Sequence, residues 1–212
     1  MLQDLKLKDF IEELGSNSPA PGGGSIAALS ASMASALASM VFNLTIGKKE
    51  YLEYDDSIKK DIDTSLEEVS LCKKDFLNFM EKDTDAFLSL MKAYKMPKKT
   101  EEEIKVRKEA IKKGNENAQN IPFEVAKSAY KLYSYIAIAV NYGNRNAISD
   151  AGVAASLTET AIEGALLNVK INIQGIKDEV YKKKMTDECS NLLKKSTDKK
   201  KEIMEIIEEK LK

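Results

Sequence analysis

Apolar residues recur along most of the chain at intervals of three and four, the spacing of helices that bury one face. Over residues 1–14 they are Leu2, Leu5, Phe10, Ile11 and Leu14 with charges between, which predicts a short amphipathic helix. Over residues 48–95 a stripe runs from Leu52, Tyr54 and Ile58 through Phe76, Phe79 and Met80 to Phe87 and Met91, with Lys, Asp and Glu opposite. Pro97 marks a break. Thr100-Glu101-Glu102-Glu103 then reads as a capping box, Thr100 capping the next helix and Glu103 reaching back. That helix is expected to end near Gln119, because Pro122 restarts the chain. Residues 123–140 are apolar on most faces and predict a buried helix that Gly143 breaks. Ser149-Asp150 reads as the cap of a helix over about residues 151–173, and a strongly charged helix covers residues 178–212. No segment alternates with period two between hairpin turns. The expected fold is all-α, one domain over residues 1–212, a bundle of six to eight helices.

One uncharged stretch breaks the amphipathic rhythm: Ser18-Pro19-Ala20-Pro21-Gly22-Gly23-Gly24-Ser25, then residues 26–47. Ser25 reads as an N-cap whose hydroxyl would accept from a first-turn N–H. The helix after it is rich in Ala and Ser, so neighbouring backbones can approach closely. Three glycines at a helix N-terminus expose N–H groups at the positive dipole end, which suits an anion; an ordinary turn explains them as well. The loop is not of the Walker type, since no Lys-Ser or Lys-Thr follows the last glycine. Residues 16–47 carry no charge over more than a bilayer's thickness, yet begin in a Pro/Gly loop and are rich in Ala, Ser, Asn and Thr. A helix buried within protein is the expected reading, not a membrane span.

Composition narrows the chemistry. At 212 residues the chain can bury a real core, and its net charge of −1 offers no bulk attraction to nucleic acid or an anionic membrane. Cys72 and Cys189 form no CxxC motif and read as free thiols. The N-terminus has no apolar signal-peptide core. The expectation from these is a cytoplasmic protein. There is no histidine, which removes Ser-His-Asp and Cys-His catalysis and the commonest zinc ligand. Acid–base work falls to Asp, Glu, Lys, Tyr or Cys.

Three places can hold such chemistry. The loop Gly143-Asn144-Arg145-Asn146-Ala147-Ile148-Ser149-Asp150 enters between two very apolar helices, where Asn side chains suit an amide-bearing heterocycle. Plain helix capping by Ser149 and Asp150, with Asn144 in a turn, is the simpler account of it. Lys48 and Lys49 follow Gly47, where cations favour a helix C-terminus whether or not they meet a ligand. Glu81, Asp83 and Asp85 lie beside Phe79, Phe87 and Leu90; two of the three read as ordinary surface charge, while one partly buried among the aromatics would have a raised pKa and could serve as a base.

SPAPGGGSIAALSASMASALASMV, the GKKEY after it, DTDAF with KMPKKT downstream, and GNRNAISDAGVAASL…GALLNVKINI resemble the cyclodeaminase/cyclohydrolase family in order and spacing over nearly the whole chain. The resemblance implies an all-helical fold, usually a homodimer, with a folate site near the subunit interface and no metal or other cofactor beyond the tetrahydrofolate substrate. It matches Asp83 to the catalytic aspartate, with Asp85 at a more variable place. It also matches Gly22, Gly23, Gly24 and Ser25 in the glycine loop, Lys48 and Lys49 before Tyr51, Asn144, Ser149 and Asp150 in the GN…SD signature, and Asn168 and Asn172 further on. The implied roles are a base at Asp83 and a second carboxylate, or a pterin-orienting group, at Asp150. Lys48 or Lys49 would meet the glutamyl carboxylates of a folate tail that can be polyglutamylated. The glycine loop would offer N–H groups to the tail or the pterin.

Two reactions fit: hydrolysis of 5,10-methenyltetrahydrofolate to 10-formyltetrahydrofolate, and closure of 5-formiminotetrahydrofolate with loss of ammonia. If the chain is free-standing, without a fused transferase domain, the first is the expected reaction, although a stand-alone cyclodeaminase beside a separate transferase fits as well. Two other readings are a folate or nucleotide binder without turnover, and a non-catalytic helical scaffold whose charged last helix pairs with a partner. The scaffold expects Gly22 to Gly24, Asp83 and the GN…SD residues to be dispersed; the enzyme expects them gathered.

Overall fold

The computed structural model describes residues 1–176 and 178–212. Seven α-helices form among them: α1 (Leu7–Leu14), α2 (Gly23–Thr45), α3 (Lys49–Glu53), α4 (Asp56–Lys95), α5 (Glu101–Tyr142), α6 (Ile148–Asn172) and α7 (Glu179–Leu211). Two 3₁₀ turns, Leu2–Asp4 and Arg145–Ala147, complete the regular structure, and no strand occurs among the described residues. The expected all-α domain of six to eight helices is what forms.

The core is a ring of four helices: α2 packs on α4 and α6, α5 closes the ring between those two, and α7 covers α5 and α6 from outside. The small residues of α2 and α6 make this possible. Ala27, Ala28, Ala31 and Ala34 on α2 and Ala151, Ala154, Ala161 and Ala165 on α6 are buried. A Cβ on Gly164 would lie 3.4 Å from that of Ala27, which measures how close the two backbones run. Buried serines cost little here, because Ser30, Ser35 and Ser39 each donate to the carbonyl four residues back. Ser32 instead bridges to the carbonyl of Lys73 on α4. α2 is long and apolar enough to cross a membrane, and 67% of its apolar window is buried by the rest of the bundle.

Local expectations fared unevenly. The capping box stands as read: the Thr100 hydroxyl accepts from Glu103 N–H, and the Glu103 carboxylate accepts from Thr100 N–H. Gly143 ends α5, and a Cβ there would lie 2.2 Å from the Ala139 carbonyl and 2.6 Å from Val41, so only glycine fits. The first segment is not one helix: a 3₁₀ turn and extended Leu5 and Lys6 precede α1, of which only Phe10 is buried. Two caps move: α2 starts at Gly23 behind Gly22, and α6 starts at Ile148, with Asn144 capping the 3₁₀ turn before it. Ser25, Ser149 and Asp150 are therefore first-turn residues, not caps. The charged last helix packs on its own domain through Met185, Cys189, Ile203 and Ile207. The Lys200–Glu159 pair and the Tyr133–Ser196 hydrogen bond fasten it to α6 and α5.

Pro122 does not restart the chain; it lies inside the unbroken α5. A helical proline leaves the carbonyl four residues back without its donor. That carbonyl is Ala118, and it accepts from the Asn172 side chain at 2.6 Å. A contact between α6 and α5 thus supplies the hydrogen bond that the proline cannot.

Candidate functional site

α2 and α4 run antiparallel, so the head of α2 lies beside the middle of α4, where Asp83 sits. Asp83 is half-buried, whereas Asp85 is exposed. The Asp83 carboxylate presses on Gly24: a Cβ there would stand 2.2 Å from Oδ1. The fully buried Ser25 donates its hydroxyl to Oδ2 at 2.9 Å and shares a second bond of 3.0 Å with Thr84 Oγ1. Ser25 fails as an N-cap because its hydroxyl is turned to this carboxylate. The anion received by the glycine-led helix head is thus a side chain of the protein itself.

Burial raises the Asp83 carboxyl above its ordinary value, and the side-chain and backbone hydrogen bonds from Ser25 only partly counter it. A carboxyl held this way gives up and takes back a proton closer to neutral pH than a free aspartate does. Gly23 borders Asn168, whose amide nitrogen would lie 3.3 Å from a Cβ on the glycine, and Gly22 is open on its outer side. Gly22 to Gly24, Ser25, Asp83 and Asn168 therefore share one end of the bundle.

The remaining expected residues lie at the other end. Asn144 donates its backbone N–H to Thr45 Oγ1 and its side-chain amide to the Leu44 carbonyl, at the tail of α2. By helical rise, about 30 Å separates the head of α2 from its tail. Lys48 and Asn144 line a cleft of about 730 Å³ there, together with Tyr51, Tyr54, Arg145 and Lys210. Arg145 and Lys210 carried no signal in the sequence, since charge in a solvated loop and in a charged helix reads as surface. In the fold, Lys210 Nζ donates to the Val140 and Asn141 carbonyls at the end of α5, while Arg145 donates to the Lys210 carbonyl at the end of α7. Burial, with Arg145 nearby, lowers the Lys210 pKa. Lys49 is exposed and pairs loosely with Glu53. Ser149 faces a groove between α6 and α7, and Asp150 lies in the first turn of α6. Within one chain Asp83 and Asp150 do not meet.

Burial raises the Cys72 and Cys189 thiols, which disfavours them as nucleophiles. Among the described residues no three Cys, Asp or Glu side chains gather as metal ligands do.

A family model described as formiminotransferase-cyclodeaminase matches residues 6–191. The chain is similar to the methenyltetrahydrofolate cyclohydrolase of Methylorubrum extorquens, 35% identical over 187 residues that make up 88% of each chain. It is similar to the formimidoyltransferase-cyclodeaminase of Mus musculus, 33% identical over 92% of this chain but only 35% of that protein's length. The fold matches the crystal structure of formiminotetrahydrofolate cyclodeaminase from Thermotoga maritima with a TM-score of 0.85, at 26% identity and full coverage of both chains.

Proposed function

The chain belongs to the formiminotransferase-cyclodeaminase family, and from that premise we propose that it hydrolyses 5,10-methenyltetrahydrofolate to 10-formyltetrahydrofolate, with Asp83 as general base and then general acid. The observation that carries the role of Asp83 is its setting: half-buried, raised in pKa, and pinned against Gly24 and Ser25 at the head of α2. Asp83 takes a proton as water adds to the methenyl carbon. The C–N5 bond then breaks, its electron pair goes to N5, and Asp83 returns the proton there; the hydroxyl on the carbon loses its remaining proton to water as the C=O forms, leaving the formyl group on N10. General acid–base assistance of this kind contributes roughly 10²–10⁴-fold.

The hydrolase is preferred because the similarity to the Methylorubrum enzyme extends over 88% of both chains at the higher identity. The cyclodeaminase stands second on the full-length match to the Thermotoga structure. In that reaction N10 attacks the formimino carbon, ammonia leaves, and the same carboxyl serves both proton transfers.

The cleft carries the cations Lys48, Arg145 and Lys210 beside the carboxylates Glu50 and Glu209; its cations would meet the glutamyl carboxylates of the folate tail, with Asn144 as a donor and acceptor. It lies far from Asp83 in one chain, and a second copy resolves the separation. Met33, Met40 and Leu44 on α2 and Val153, Leu167 and Ile171 on α6 are exposed. α2 and α6 pack side by side, so these residues form an apolar face. A two-fold pairing of two such faces with the α2 helices antiparallel sets the Asp83 end of one copy against the Asn144 end of the other. The reading expects a homodimer in the cytoplasm.

The test is the loss of the near-ultraviolet band of 5,10-methenyltetrahydrofolate in mildly acidic buffer, with and without protein. Acceleration that disappears in Asp83→Asn supports the hydrolase. Growth of that band with ammonia release from 5-formiminotetrahydrofolate would replace it with the deaminase. A folded Asp83→Asn protein with full turnover would remove Asp83 from the mechanism.

A further inference from the structure

Three serines of α2 share a habit that Ser25, like Ser32, breaks. Ser30, Ser35 and Ser39 each turn back to the carbonyl four residues earlier. Ser25, fully buried, instead stands between Asp83 Oδ2 and Thr84 Oγ1. A hydroxyl has one proton and two lone pairs, and an ionised carboxylate only accepts. Ser25 must therefore give its single proton to Asp83, and the hydrogen between the two hydroxyls must come from Thr84. The chain of donors runs one way: Thr84 to Ser25, Ser25 to Asp83.

We propose that Thr84 is a positioning residue that decides which oxygen of Asp83 carries the reacting proton. By donating to Ser25 Oγ, Thr84 holds the serine proton on Oδ2. Protonating Oδ2 would make it a poorer acceptor and weaken the Ser25 hydroxyl bond, so the proton goes to Oδ1, the oxygen that lies against Gly24 and receives no side-chain hydrogen bond; the Ser25 backbone N–H also donates to this carboxylate. Hydrogen bonds in such a chain also strengthen one another, so the Thr84 hydroxyl reinforces the Ser25 bond that holds the charged carboxylate. Without it, Ser25 still donates to Oδ2 but through a weaker and less fixed bond, and the charged form of Asp83 loses support. The inference rests on the reading of Asp83 as the acid–base group.

The experiment compares Thr84→Val, which keeps the shape and loses the hydroxyl, with Thr84→Ser, which keeps the hydroxyl. Both are made in the full chain and assayed across pH with whichever of the two folate substrates the wild type turns over. Thr84→Val is expected to lower kcat about tenfold with KM nearly unchanged, and to move the acid limb of the pH–rate profile to higher pH. Thr84→Ser is expected to stay within about twofold of wild type. An infrared band of the protonated carboxyl, assigned by its loss in Asp83→Asn, gives a readout without turnover: it moves to higher frequency in Thr84→Val as the Ser25 bond to Oδ2 weakens. Thr84→Ala replaces the valine variant if that does not fold. An unmoved acid limb and an unmoved carboxyl band in the hydroxyl-free variant overturn the role of Thr84, even if melting falls. With Asp83→Asn inactive, that result leaves Asp83 as the base. Full turnover in Asp83→Asn overturns both readings together.

Discussion

Asp83 Oδ1 lies where a side chain on Gly24 would begin: a Cβ there would be 2.2 Å away. The glycine is kept clear for the carboxylate rather than for a ligand's backbone contact. Gly24 is buried and helical, so nothing in its own conformation requires glycine.

Gly24→Ala should therefore act on turnover more than on folding. The displaced group is the far end of a side chain, which can swing aside, and a helix favours alanine over glycine. Turnover is expected to fall about a hundredfold while the melting temperature holds, with Asp83 moved off Ser25. A fully active Gly24→Ala enzyme would show that the contact does not place the base.

The stability of Asp83→Asn should depend on pH with a definite sign. Burial raises the folded-state carboxyl above its ordinary 3.8, so the folded protein holds this proton more tightly than the unfolded chain does. Its contribution to stability is full below 3.8 and is lost as pH rises through the folded value. Asparagine is never ionised. Calorimetric melting should match wild type in acid and exceed it at neutral pH, a gap that opens as pH rises. A gap constant with pH would mean that the ionisation of Asp83 is not what separates the two proteins.

Lys210 and Arg145 each close the last turn of the other's neighbouring helix, an exchange that favours cations at both helix C-termini. Lys210→Met should cost about 1 kcal/mol and speed amide exchange in the last turns of both α5 and α7. Faster exchange in α5 alone, the end that the lysine caps directly, would show that the two ends are not coupled.

Met40→Glu and Leu167→Glu place charge on the exposed apolar face of α2 and α6. Each should convert a dimer on gel filtration to a monomer with little turnover left. A wild-type protein that elutes as a monomer and is fully active would leave the lysine-lined cleft unrelated to Asp83.

What was legible in the sequence was whatever short spacing decides. Thr100 and Glu103 are three residues apart, and their box forms as read. The helical stripes and the break at Gly143 are of the same kind. What failed was decided by distant partners. Ser25 is drawn from its cap position by a carboxylate 58 residues on. Pro122 sits within the helix while Asn172, 54 residues beyond Ala118, donates to the carbonyl that the proline leaves unpaired. The enzyme reading expected Asp83, the glycine loop and the GN…SD residues gathered in one place; within one chain the fold brings together only Asp83 and the glycine loop, and Asn144, Ser149 and Asp150 lie at the opposite end of the bundle.

The bond from Asn172 to the Ala118 carbonyl imposes an order on change in this region. While proline occupies position 122, losing the asparagine leaves a half-buried carbonyl without a donor, and that step is harmful. If alanine replaces the proline first, its own N–H takes over the carbonyl, and position 172 becomes free to drift. The same pair of substitutions is thus open by one route and closed by the other, so the history of the chain, and not only its present contacts, decides whether Asn172 can be lost.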